Sequence, residues 1–146
     1  MTDIHGVFQR YVVEANAWED VPHEWEMDTH YRLFGALAGV RNHDHGMTPI
    51  SAPRGIPDDF VQVDGYHPVA DVSTLTAYDR ERLEWMEATG DMNVFVGDHS
   101  HSWLIGDEML AWFDAVPDEG LAYFFDEVRR LKELHGSIRL VFGFDS

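Results

Sequence analysis

The chain has 146 residues, 45% apolar and 13% aromatic, which is enough to bury a sizeable core in a single domain, 1–146, and too apolar for disorder to be the default. Acidic residues outnumber basic ones 27 to 10, a net charge of −17, so the broad basic surface that neutralises nucleic-acid phosphates is excluded and no direct nucleic-acid binding is expected. There is no cysteine, which rules out disulfides and thiolate metal sites, and no stretch nears the roughly 18–20 apolar residues of a membrane span.

In chain order, the opening MTDIHGVFQR lacks the basic and apolar regions of a secretion signal, and a cytoplasmic protein is expected. DIHGVFQRYVV mixes β-branched and aromatic residues and predicts a strand over about residues 4–13. MDTHYRLFGALAGVRN predicts a helix capped by Asp28 with Leu33, Phe34 and Leu37 on its apolar face; Gly35 and Gly39 would let another element approach closely. A long polar loop, RNHDHGMTPISAPRGIPDDF, follows, anchored by Ile50, Ile56 and Phe60; loops of this length in compact domains are usually functional. STLTAYDRERLEWMEATG predicts a helix from Ser73 to Gly90, and MNVFV a short strand. GDHSHSWL reads as a polar loop before a short helix from about Asp107 to Asp114. PDEGLAYFFDEVRRLKELHG is the clearest helix, with Leu121, Phe124, Phe125, Val128 and Leu131 as its buried stripe, Pro117 in its first turn and Gly136 as its stop. SIRLVFGF places Ile138, Leu140, Phe142 and Phe144 on one face of a strand expected to share a sheet with the first. The whole predicts an α+β domain in which about four helices pack on a small sheet.

Three polar clusters could carry chemistry. Arg41 continues the stripe of Leu33 and Leu37, where it would either cap the last carbonyls or point its planar fork at a phosphate or carboxylate. His43, Asp44 and His45 beside it have metal-ligand chemistry, but a His-x-His without a partner set is a weak signal and no metal is assigned. Arg54, between Pro53 and Gly55, is held stiffly on one side and freely on the other, as suits either a well-made turn or a presented ligand contact; Asp58 and Asp59 fit a turn cap. In GDHSHSWL, Ser100 and Ser102 could donate to a phosphate, His99 or His101 could act as base, acid or donor, and Asp98 could fix an imidazole tautomer. In an extended chain His99 and His101 would face one way and the two serines the other, while Trp103 reads as a core anchor.

Taken in order, YRLFGALAGVRN, PISAPRGIPDDF, GDHSHSWL and the terminal IRLVFGFD resemble a family of small bacteriophage-encoded proteins. In that family a helix ending in Arg-Asn, an Arg-Gly-Leu-Pro loop and a Gly-x-His-Ser-x-Ser-Trp-Leu stretch recur in this order. The resemblance runs from about residue 28 to the end and is weakest over residues 61–92; it departs at Ile105, where the family tends to carry Thr, leaving Gly106 or Asp107 to cap the short helix. It implies a host-cytoplasm setting and, by association, action against a host system.

The reading that follows is a pocket for a small anionic, nucleotide-like ligand, possible sequestration of a host defence signal being its consequence. Arg41 and Arg54 neutralise the charge, Asn42, Ser100 and Ser102 supply hydrogen bonds, and His99 or His101 contacts a phosphate or base. One alternative is a phosphoester hydrolase using His99 and His101, with or without a metal. Another is an inhibitor whose acidic face binds a basic host protein. The sequence specifies no cofactor.

Overall fold

Ile138, Leu140, Phe142 and Phe144 lie on one face of the last strand and all are buried, as their alternation predicts. The structure, a computed structural model, describes residues 1–60 and 99–145. Among these the elements run β1 (Asp3–Val12), a 3-10 turn (Val13–Ala15), β2 (Ala17–Asp20), α1 (Tyr31–Ala38), β3 (His99–Ile105), α2 (Gly106–Ala115), α3 (Ala122–His135) and β4 (Ile138–Asp145). The four strands form one antiparallel sheet in the order β2-β1-β4-β3, so the first and last strands pair at its centre. The architecture is α+β. The described residues hold three α-helices against about four expected; the helix expected over 73–90 and the MNVFV strand lie outside them.

Antiparallel partners point to the same side of a sheet. Ile4, Phe8, Leu104 and the even-numbered residues of β4 therefore share one face, which packs against the buried sides of α1, α2 and α3. The predicted stripe of α3 is buried in full. Its helix begins at Ala122 rather than at Pro117, because Asp118 is spent on a turn: its carbonyl accepts from Leu121 N–H and its carboxylate from Gly120 N–H. Arg32 on α1 reaches across to the same carboxylate. Helix α1 starts at Tyr31 rather than after Asp28, since the His30 ring takes the cap position and its Nδ1 accepts Leu33 N–H at 3.1 Å.

The opposite face carries Val7 and Val141, covered by Phe60, with Ile56 and Trp103 packed beside them. The 50–60 loop thus crosses from the helix side, where Ile50 N–H donates to Ala36 O, to the other side of the sheet. No helix among the described residues is long and apolar enough to cross a membrane.

Glu127 is a buried carboxylate that ties α3 to the segment after β2. It accepts from the Arg130 guanidinium and from Glu24 N–H, near the buried Trp25, whose ring stands edge-on to Phe124. Arg130, acting against burial and helped by the Glu24 N–H, holds the Glu127 carboxyl below its ordinary 4.5. A depressed carboxylate stabilises the fold fully above its unfolded value, and that contribution is lost as pH falls through the folded one. Glu127→Gln is therefore expected to cost about 1–3 kcal/mol near neutral pH. The difference from wild type should shrink as pH drops below 4.5, as followed by urea denaturation across pH.

Candidate functional site

The first polar cluster is built apart from the other two, which meet each other. Helix α1 ends at Ala38, and Gly39 stops it at φ 74°, so the helical spacing that placed Arg41 on the apolar stripe does not extend to it. Arg41 sits in the following turn at φ 52°, donates from Nε to Thr2 Oγ1 at 2.6 Å and lies 5.4 Å from the Tyr31 ring centre. It caps no helix carbonyl through any described bond. Asn42 folds back: its amide donates to Met47 O at 2.7 Å and accepts Met47 N–H at 2.8 Å. The close approach expected at Gly35 is made by this side chain, since a Cβ on Gly35 would stand 2.5 Å from Asn42 Oδ1. His43 and Asp44 are exposed and face each other at 3.2 Å. Among the described residues no three His, Asp or Glu side chains gather into a metal-ligand set. Asp98 lies outside those residues.

The stretch read as a polar loop is a strand from His99 onward. Its register jumps between His99, opposite Phe144, and Ser102, opposite Phe142, so Ser100 and His101 together face the single residue Gly143. Ser100 absorbs the extra residue at φ 54°. The bulge overturns the simple alternation: His99 and Ser102 share the helix-side face. His99 stacks on Phe144, and its Nδ1 and Ser100 Oγ share a hydrogen bond of 2.9 Å. Ser102 is fully buried, and its Oγ accepts Arg54 N–H at 3.0 Å while His101 O accepts Gly55 N–H at 2.8 Å. The second and third clusters therefore meet, but as a loop docked on a strand edge. Arg41 and His99 do not line the cavity that Arg54 lines.

Arg54 is spent internally. Its guanidinium forms a two-pronged pair with Glu108, donates to Trp103 O and lies 4.7 Å from the Trp103 ring centre. Glu108 also accepts Ile105 N–H at 2.8 Å, which supplies the α2 cap that neither Gly106 nor Asp107 provides. Arg54 holds the Glu108 carboxyl below its ordinary range, burial opposing, and Glu108 raises the Arg54 guanidinium in turn.

A cavity of about 630 Å³ opens on the sheet face away from the helices, within the size range of small-molecule sites. Trp18 of β2 and Trp103 of β3 contribute indoles, Ile56 and Ile105 apolar surface, and Asp58 and Asp59 carboxylates. Arg139 of β4 also lines it, although its side chain is only 5% exposed. Its Nε donates to Gln9 Oε1 at 2.9 Å, its Nη1 to Asp59 Oδ1 at 2.9 Å, and its carbon lies 4.3 Å from the Trp18 ring centre. Gln9 is itself oriented by donating to Asp20. Nη2 is buried and has no hydrogen-bond partner among the described residues. Burial pulls the guanidinium below its ordinary range while Asp59 and Asp20 act the other way, and a guanidinium keeps its charge at neutral pH regardless.

Trp18 was missed in the sequence because β2 is too short, at four residues, to be read as a strand, and Arg139 because reading SIRLVFGF as half-buried left its odd positions to solvent. The available signal was that two of those positions, Val141 and Gly143, are not polar. Comparison with known family models, curated proteins and solved structures matches nothing.

The contacts of Arg54 make it a structural tether. Arg54→Ala should cost about 1–3 kcal/mol and speed proteolysis within residues 51–57, whereas Arg41→Ala, which removes an exposed residue's single hydrogen bond to Thr2 and its contact with the Tyr31 ring, should cost less than about 1. Urea denaturation and limited proteolysis of the two variants check this; equal costs would contradict the assignment.

Proposed function

We propose that this protein binds a small anionic ligand with a flat ring, nucleotide-like in character, in the cavity between Trp18 and Trp103. The observation that carries the reading is that Arg139, whose buried Nη2 has no hydrogen-bond partner among the described residues, lines a cavity to which Trp18 and Trp103 also contribute. An unmet buried donor costs about 1–3 kcal/mol, which an acceptor oxygen of the ligand would recover. Indole walls favour a planar, polarisable group over an aliphatic one. Among the described residues the lining has no imidazole, thiol or hydroxyl, and Asp59, one of its two carboxylates, is engaged by Arg139, which supports holding over turnover. The net charge of −17 opposes approach at long range, but salt screens it beyond about 8 Å and leaves the local guanidinium to decide affinity. In the phage setting that the sequence resemblance implies, holding such a ligand would withdraw a signal from the host.

Hydrolysis is the second reading, favoured by one observation: Ser100, in a left-handed backbone conformation, shares a hydrogen bond with His99. Neither residue lines the Trp18–Trp103 cavity.

One experiment separates them. Purified protein is incubated with a pool of nucleotides, cyclic nucleotides and ADP-ribose derivatives, freed of unbound ligand, denatured and chromatographed beside the pool. One intact compound should be retained, with retention reduced at least tenfold in Trp18→Leu and Arg139→Gln and unchanged in Arg41→Ala; circular dichroism confirms that the variants fold. Retention indifferent to Trp18 and Arg139, or no retention, overturns the reading. Loss of a compound from the pool that stops in Ser100→Ala favours hydrolysis.

A further inference from the structure

Asp59 occupies an unusual position for a counter-ion. Its carboxylate makes one hydrogen bond to Arg139, through Nη1 at 2.9 Å, and leaves the neighbouring Nη2 unmet. The end of a guanidinium is a fork that a carboxylate or phosphate can satisfy with two oxygens at once. The side edge is already engaged, since Nε is held by Gln9. Asp59 is also 60% exposed on the 50–60 loop, against 5% for Arg139, so on leaving the fork its charge is taken up by water that already reaches it.

We propose that Asp59 is a resident counter-ion standing in for the ligand, and that an anion with two oxygens on one centre displaces it to take both Nη1 and Nη2. The inference rests on the binding reading above and adds its selectivity. The site prefers anions that fill both prongs, because these satisfy Nη2 as well as replace Asp59; a ligand with one acceptor oxygen must compete with Asp59 for little gain. Asp59 keeps the buried guanidinium paired while the cavity holds no ligand, since an isolated buried charge is costly. No covalent step is involved.

The test uses inorganic phosphate as probe and thermal unfolding of the whole chain as readout, at constant ionic strength with chloride as the control anion. Asp59→Asn removes the competitor while keeping the side chain's shape. It should show phosphate-dependent stabilisation with an apparent affinity about tenfold tighter than wild type and no greater response to chloride. Asp58→Asn makes the same charge change in the same lining without a described bond to Arg139, and should stay within about twofold of wild type. Arg139→Gln, and Asp59→Asn combined with it, should lose the response.

A response in Asp59→Asn no larger than wild type overturns the proposal, as does an equal gain in Asp58→Asn, which would mark a general charge effect. The two readings fail separately. A nucleotide retained by wild type with no phosphate gain in Asp59→Asn defeats the resident counter-ion alone. A phosphate gain with nothing retained from the nucleotide pool defeats the ring-binding reading and leaves the exchange of anions standing.

Discussion

Strand β4 is enclosed by β1 and β3 along its edges, by helices on one face and by the 50–60 loop on the other, and this enclosure governs its odd-numbered side chains. Alternation puts Arg139 on the face away from the helices, but that face is covered too, and the guanidinium is buried beside Val141. A buried charge must be paired and hydrogen-bonded or it destabilises the fold. Gln9 opposite it, Asp59 above it and the Trp18 ring meet that demand in part, and the part left unmet is what gives the cavity a chemical identity.

The excess of acid over base bears on the same point. Among the described cations, Arg10, Arg32, Arg54, Arg129, Arg130, Lys132 and Arg139 each face a carboxylate, and Arg41 donates to a threonine. In a chain with 27 acidic and 10 basic residues, a cation without an internal partner is rare on statistical grounds alone. An anionic ligand must then either displace a carboxylate or meet a guanidinium with donors to spare. Arg54, gripped in two places by Glu108, offers neither route; Arg139, held once by Asp59, offers both.

The fold was more legible than the site. Periodicity located α1, α3 and β4, because burial on one face writes a period of two or 3.6 into a sequence, and β-branched and aromatic composition located β1. It failed where polar residues do structural work. HSHS is a strand because Ser102 is buried as an acceptor for the Arg54 N–H and Ser100 absorbs a bulge, and neither leaves an alternating apolar trace. Arg41 was drawn onto a helix that Gly39 had already ended. Arg54 and Ser102 were legible as meaningful residues, yet their partners, Glu108 and each other, lie about fifty positions apart and no local pattern joins them. The cavity draws Trp18, Asp59, Trp103 and Arg139 from four separate elements, so only the tertiary fold assembles it.

The strand order also has a consequence during synthesis on the ribosome. β1 emerges among the first residues and can close its hairpin with β2 at once, but its other edge is matched to β4, from Asp3 opposite Asp145 to Arg10 opposite Ile138. That edge must wait until more than a hundred further residues have been made, whereas the edge β3 presents to β4 waits only for the stretch from Ile105 to Ile138 and on through β4. At elongation rates of about 5–20 residues per second, the nascent chain carries an open strand edge and the apolar Ile4 and Phe8 for many seconds. Among the described strands the last to appear is the one that joins β1 to β3, so closing the sheet waits on synthesis of β4 rather than on its early elements.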